Sequence, residues 1–326
     1  MRFRLTGLCA IAAIASQGIG GLKAQQPAEF PTKVMTIIGY SNPGGPVDLL
    51  ARTLADGLRA QYGKPVIVEN RVGAAGITAS LYLKKLPPDG HTLLYGAMTT
   101  AIFAPQIRPQ LPYDTRTDFT PVALTTGYSL ILVARPSVPF KTLDEFIDYA
   151  KKNPNKLNYA TNGIGAWTHI AMELFQDRTG AKLTHVPYTG HAPALQALLA
   201  GDIEMAMLDI NIAKSYIDAG KLRVIGQLGT ERAPQFPDVA TFGEKVPELA
   251  TEFWLGLFGP PGMSPALVKK LNADINAFSQ LDSTRERAKN AYMNVRTESA
   301  EGFKKRVEND WNFWGKVIKD KNIVVK

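Results

Sequence analysis

The chain has 326 residues, 45% of them hydrophobic and 20% charged, with a formal net charge of +8 and a single cysteine. That composition describes a globular protein, and the length exceeds one ordinary hydrophobic core and asks for two lobes. Lysine and arginine are scattered, and the small clusters at Lys84-Lys85, Lys151-Lys152 and Lys304 to Arg306 read as solvated faces, which excludes a nucleic-acid track and leaves a mild bias toward anionic ligands.

The first residues read as an export signal. Arg2 and Arg4 give a positive start, Leu5 to Ile14 an apolar run, and Leu22-Lys23-Ala24 a small-residue stop. A run of about ten apolar residues is half of what a permanent membrane helix needs, and charged or turn residues interrupt every later segment. Residues 1–24 are therefore expected to be removed on export to the periplasm. Cys9 leaves with them, and Leu8 before it does not suit lipid attachment. Without a thiol no disulfide forms, and thiolate catalysis is excluded.

Strands and helices then alternate. Val34 to Ile38 is a β-branched apolar run, Gly39 to Gly45 a loop, and Val47, Leu50, Ala51, Leu54 and Leu58 recur at helical spacing. Pro46 suits the first helical turn and Gly63 a left-handed exit. Further strands are expected at Val66 to Val68 and Thr92 to Tyr95, with loops at Gly73 to Gly76 and Pro87 to Gly90, so the first lobe reads as a parallel sheet. A second series opens with a strand at Ser129 to Val133. It continues through a helix over Leu143 to Lys151, a strand at Leu157 to Ala160, a helix ending at Gly180, a strand at Leu183 to Val186, a Pro193-initiated helix ending before Gly201, and a strand at Ile203 to Met207. Leu222 to Ile225 and Trp254 to Phe258 read as strands, and Pro265 to Phe278 and Ala300 to Lys319 as amphipathic helices.

In open α/β sheets, ligands bind where loops leave the carboxyl ends of strands. The first such loop runs from Gly39 through Tyr40, Asn42, Gly44, Gly45 and Pro46 to Asp48. Its glycines let backbone approach a ligand, and the following first helical turn has N–H groups without helical acceptors that suit an anion. Asp48 either faces the ligand or serves the helix dipole and pairs with Arg52. Thr99, past the strand Thr92 to Tyr95, joins this half.

The second loop, Thr161 to His169, offers hydroxyls at Thr161 and Thr168, backbone at Gly163, Gly165 and Ala166, and an aromatic plane at Trp167, which could equally be a packing residue. It fails as a nucleotide fingerprint, because Thr168 stands where the third glycine of G-x-G-x-x-G belongs. The third loop carries Tyr188 and His191, and Asp209 follows the strand Ile203 to Met207. Tyr188 either covers an anion or packs the loop; Asp209 either takes a ligand hydroxyl or amine or caps a helix.

Several of these stretches recur together in one family. Pro43-Gly44-Gly45-Pro46-Val47-Asp48, Val68 to Gly76, Pro87 to Leu94, Leu111-Pro112-Tyr113-Asp114, His185-Val186-Pro187-Tyr188, Pro193-Ala194-Leu195, Ala219 to Arg223 and Trp254 to Gly262 resemble, in order, the motifs of Bug-type substrate-binding proteins of tripartite tricarboxylate transporters. The resemblance implies an α/β, two-lobed type II periplasmic-binding-protein fold, with two mixed sheets flanked by helices, a hinge and an interlobe cleft. It implies lobe 1 over 25–126 and 228–326, lobe 2 over 127–227, no cofactor, and a small organic carboxylate passed by a monomer to membrane permease subunits. Ala166 replaces the family's usual Thr or Ser, Trp167 a small polar residue and His191 a small one, which suggests an aromatic or flat carboxylate.

Two other readings compete with capture for transport. A periplasmic hydrolase would need a nucleophile with a base, or a metal cluster, from only His91, His169, His185 and His191, and neither H-E-x-x-H nor G-x-S-x-G occurs. A ligand-sensing receptor subunit would share the fold and differ in its partner.

Overall fold

A computed structural model describes residues 30–325; the expected export signal lies outside them. Its elements, in chain order, are β1 (Met35–Gly39), α1 (Pro46–Tyr62), β2 (Val66–Asn70), α2 (Ile77–Leu83), β3 (Thr92–Ala97), a π turn (Thr99–Phe103), α3 (Ala104–Ile107), α4 (Thr115–Asp118), β4 (Thr120–Tyr128) and β5 (Leu130–Ala134). There follow α5 (Leu143–Lys152), β6 (Asn158–Thr161), α6 (Trp167–Thr179), β7 (Thr184–Pro187), α7 (His191–Ala200), β8 (Met205–Asp209), α8 (Ile210–Asp218) and β9 (Arg223–Leu228). The chain closes with β10 (Phe253–Gly259), α9 (Pro265–Ser279), α10 (Asp282–Asn290), β11 (Asn294–Val295) and α11 (Ala300–Asp320).

Two sheets result, in the orders β11-β4-β10-β3-β1-β2 and β7-β6-β8-β5-β9. Both are mixed. In the first, β1 pairs in parallel with β2 and β3, but β10 runs antiparallel to β3 and β4, which corrects the expected parallel sheet. β4 is also a strand that the sequence pattern did not reveal. Six successive residues of it are buried, from Val122 to Gly127, so it shows no alternation, and Pro121 at its start reads as a strand breaker except at a terminus. In the second sheet β6 is parallel to β7 and β8, while β5 is antiparallel to β8 and β9.

Side chains set the layers. Trp254, Phe258 and Phe303 pack edge and face between β10 and α11, and Gly256 is needed there because a Cβ would fall 2.4 Å from the Phe303 ring. Phe146 and Phe175 stack at 5.9 Å and hold α5 and α6 on the second sheet. The sheets are joined where β4 passes into β5 through Ser129 and where β9 leaves at Gly229. These crossings touch, since a Cβ on Gly229 would sit 2.2 Å from Ser129 Oγ. Arg296 clamps the second crossing, donating to Glu252 at 2.7 and 3.0 Å and to Glu231 at 3.0 Å.

Candidate functional site

The loop after β1 is held from below by Asp48. Its buried carboxylate accepts from the Gly44 amide at 2.8 Å, from Arg52 Nε at 2.9 Å and from Asn70 Nδ2 at 2.8 Å, and Asn70 also reaches the Ser41 carbonyl at 3.0 Å. Burial would raise the Asp48 pKa, but the bonds from Arg52, Gly44 and Asn70 outweigh it and hold the carboxyl below the ordinary range. Asp48 is thus spent on the loop and on Arg52. The Gly44 amide is spent with it, and the Gly45 amide leans on the Asn42 carbonyl at 3.4 Å. Among the described residues, the Val47 and Asp48 amides in the first turn of α1 find no acceptor.

The loop between β6 and α6 repeats this arrangement. Thr161 Oγ1 takes the Gly163 amide at 3.3 Å, His169 Nδ1 takes the Gly165 amide at 3.1 Å, and Thr168 Oγ1 donates to Asn162 Oδ1 at 2.6 Å. Ala166 is the cap residue of α6 and has no side chain to bond its first turn, so the Trp167 and Thr168 amides are left without acceptors among the described residues. Gly163 and Gly165 sit at φ +142° and +74°, and a Cβ on Gly165 would lie 2.3 Å from Ile107 Cδ1 of α3, in the layer of the first sheet. Trp167 is 2% exposed and its ring lies 5.5 Å from Phe253 of β10. Its ring packs the two layers together, the packing alternative of the two readings.

Tyr188 donates its amide to the Thr161 carbonyl at 3.0 Å, which brings the second and third loops together. His191 is the first residue of α7, two residues before Pro193; the open Gly190 conformation starts the helix earlier than the proline signal suggests. Asp209 occupies the cap position of α8 but makes no capping bond. It meets His191 instead: Nδ1 lies 3.1 Å from the Asp209 carboxylate and accepts the Asp209 amide at 3.1 Å. Those contacts ask opposite things of Nδ1, a donor for the carboxylate and an acceptor for the amide.

The two halves meet at Tyr40. Burial first, then Tyr95 and Asp209, pushes its phenol well above the ordinary value. Tyr128 is raised likewise by burial, Asp209 and Tyr40. Both therefore stay protonated donors beside a second-layer carboxylate. Tyr40 packs on Gly76, where a Cβ would be 2.3 Å from Thr100 Cγ2 and 3.3 Å from Tyr40 Cβ; Thr99, next to Thr100, is half-buried. Asn42 and Gly44 are exposed. Pro46 opens α1.

Three buried polar atoms on these loops have no partner: Ser41 Oγ, Trp167 Nε1 and Asp209 Oδ1. Native interiors leave few such atoms, and a cleft that takes polar ligands is where they belong. Sequence reasoning missed Ser41, Tyr128 and Ile107. Ser41 lies inside a flagged loop, whereas Tyr128 ends the strand that the pattern hid.

Two α/β layers joined by paired crossings, with uncommitted helix-start amides and facing polar loops, define a solute-binding receptor. Residues 50–323 match the model of the tripartite tricarboxylate transporter family receptor, and the chain belongs to that family. It is 36% identical over 253 residues to a UPF0065 protein of Bordetella pertussis, with 77% of each chain covered. Among solved structures it is similar to Rpa4515 of R. palustris with adipate, at 30% identity and TM-score 0.77 over 91% of this chain and 99% of that one. It is also similar to MatC of Rhodopseudomonas palustris with bound malate, at 31% identity and TM-score 0.72 over 89% of this chain and 100% of that one. The family and the two-sheet fold class anticipated from sequence both hold.

Proposed function

We propose that this chain is the periplasmic receptor of a tripartite tricarboxylate-type transporter, holding a small aliphatic carboxylate unchanged between its layers and presenting it to membrane permease subunits. The observation that carries this reading is the set of acceptor-free amides at the starts of α1 and α6; helix starts favour anions through oriented N–H groups and the helix dipole. Adipate on one relative and malate on another support a carboxylate of variable length. The burial of Trp167 removes one of the grounds for favouring an aromatic one. Closure would turn about the adjoining crossings at Ser129 and Gly229, which moves the expected lobe bounds from 126/127 and 227/228 to the ends of β4 and β9.

Asp209 would take a hydroxyl of the ligand, because its Oδ1 is buried without a donor. Calorimetry with malate and its deoxy analogue succinate tests this. Malate is expected to bind about tenfold more tightly, the worth of one hydrogen bond to a charged acceptor, and Asp209→Ala should erase the difference. Consumption of either acid during the titration, or failure of every aliphatic carboxylate in a panel to bind, would defeat the proposal.

A further inference from the structure

Beneath the Thr161–Ala166 loop, two histidines lie face to face. His169 on α6 and His185 on β7 have ring centroids 4.0 Å apart and planes 12° apart, and Tyr159 stacks on His185 at 5.1 Å. The register of β6 on β7 pairs Tyr159 with His185, strand alternation puts Thr161 on the same face as Tyr159, and α6 covers that face.

Each ring meets the loop through one nitrogen. The Gly165 amide donates to His169 Nδ1 at 3.1 Å. The Gly163 amide donates to Thr161 Oγ1 at 3.3 Å, and that hydroxyl lies 2.6 Å from His185 Nε2 but 3.3 Å from the Gly163 carbonyl. The Gly165 amide therefore fixes the His169 proton on Nε2, while the His185 proton lies on Nδ1 when the Thr161 hydroxyl donates to Nε2 and on Nε2 when it donates to the Gly163 carbonyl. Nε2 of His169 faces Glu173 Oε1 at 3.8 Å, and that oxygen also accepts from Tyr159 and Gln176, each at 3.2 Å.

We propose that His169 and His185 are positioning residues of the second-layer half-site, neutral rings that fix the Gly163 and Gly165 backbone and so aim the Trp167 and Thr168 amides. The link from loop to ligand rests on the carboxylate reading above; the link from histidines to loop does not. Protonating His169 would set its Nδ1–H against the Gly165 N–H, and protonating both rings would place two cations 4.0 Å apart. Glu173 and Tyr159 are the ionisable groups packed on the pair. Glu173 favours a charge on His169, yet burial prevails and lowers that imidazole, and burial followed by His169 lowers His185 to about 3. The loop geometry is thus insulated from pH where a free imidazole titrates.

Nuclear magnetic resonance of the ligand-free protein with isotope-labelled histidine reads this directly. At about pH 6, where an exposed imidazole is mostly protonated, His169 is expected as the neutral Nε2–H form and His185 as a neutral ring; a charged ring or the reverse tautomer of His169 overturns the proposal. His169→Phe keeps the ring and removes the acceptor, so amide-exchange protection of Gly165 should fall about tenfold, while His169→Asn, whose carbonyl oxygen can replace Nδ1, should restore it. Unchanged protection in the Phe variant, or no rescue by Asn, also overturns it. Should the Phe variant not fold, the His169 tautomer still decides.

Adipate titration separates the two readings. Binding weakened about tenfold by His169→Phe and restored by His169→Asn supports the coupling to the site. Adipate affinity unmoved by His169→Phe overturns it. If wild type takes neither adipate nor malate while Gly165 protection follows the acceptor, the carboxylate reading fails and the positioning role stands.

Discussion

Gly165→Ala tests how closely the two layers approach at the cleft. The glycine lies at φ +74°, a left-handed conformation that costs an L-residue about 1–2 kcal/mol. An added Cβ would also sit 2.3 Å from Ile107 Cδ1 and 3.4 Å from Ile107 Cγ1. Ile107 is 2% exposed and has little room to turn, so overpacking adds about 1–3 kcal/mol. The sum predicts a loss of about 2–5 kcal/mol in urea unfolding, unless the layers separate to relieve the clash. In that case small-angle scattering shows a larger radius of gyration. Ile107→Val removes the clashing methyl at a cost of its own of about 1 kcal/mol. The double variant should recover about 1–2 kcal/mol relative to the summed single losses, because the second substitution makes room for the first. Strict additivity, with no change in scattering, would refute a cross-layer contact at this position.

Asp48→Ala strands three donors and should destabilise the protein by about 2–4 kcal/mol at neutral pH in the same assay. Because the folded carboxyl is held below its unfolded value, that contribution is present above about pH 4 and is lost as pH falls through the folded pKa; an Asp48→Ala deficit that persisted under strong acid would contradict the assignment. His185, lowered to about 3, works over a different window. Its unfolded form gains a proton first, so stability is full above about pH 6.5 and falls by about 1–2 kcal/mol by pH 5, a slope that His185→Gln should flatten when wild type and variant are unfolded side by side. Asp310 has the opposite sign. Burial lifts its carboxyl to about 6 against the Trp254 hydrogen bond and the Arg306 charge, with Glu298 adding to the rise. Its stabilising share is present below about pH 4 and lost as pH rises through 6, so Asp310→Asn should raise stability by about 1–3 kcal/mol at pH 7.5 and add nothing in acid. A destabilised variant at pH 7.5 would overturn that account.

The alternation of apolar strands with amphipathic helices was legible in the sequence, as were the loops at strand ends, because both are written in local spacing. Strand direction was not. β10 has the same apolar pattern whichever way it runs, and only its pairing with β3 and β4 reveals the reversal. β4 escaped because burial on both faces erases alternation, and Tyr128 was lost with it. Glycine positions marked the loops at the strand ends, yet which amides stay free was decided by side chains elsewhere: Asp48 captures the Gly44 amide and His169 the Gly165 amide. Trp167 was ambiguous for a similar reason, since its partner Phe253 lies far along the chain.

The account stands on the amides that open α1 and α6. Backbone-amide spectra recorded while adipate and malate are titrated into the protein test it most directly. The expected result is a saturable shift concentrated at Val47, Asp48, Trp167 and Thr168, with the acid recovered intact. Saturable binding that leaves those four amides unmoved would contradict it.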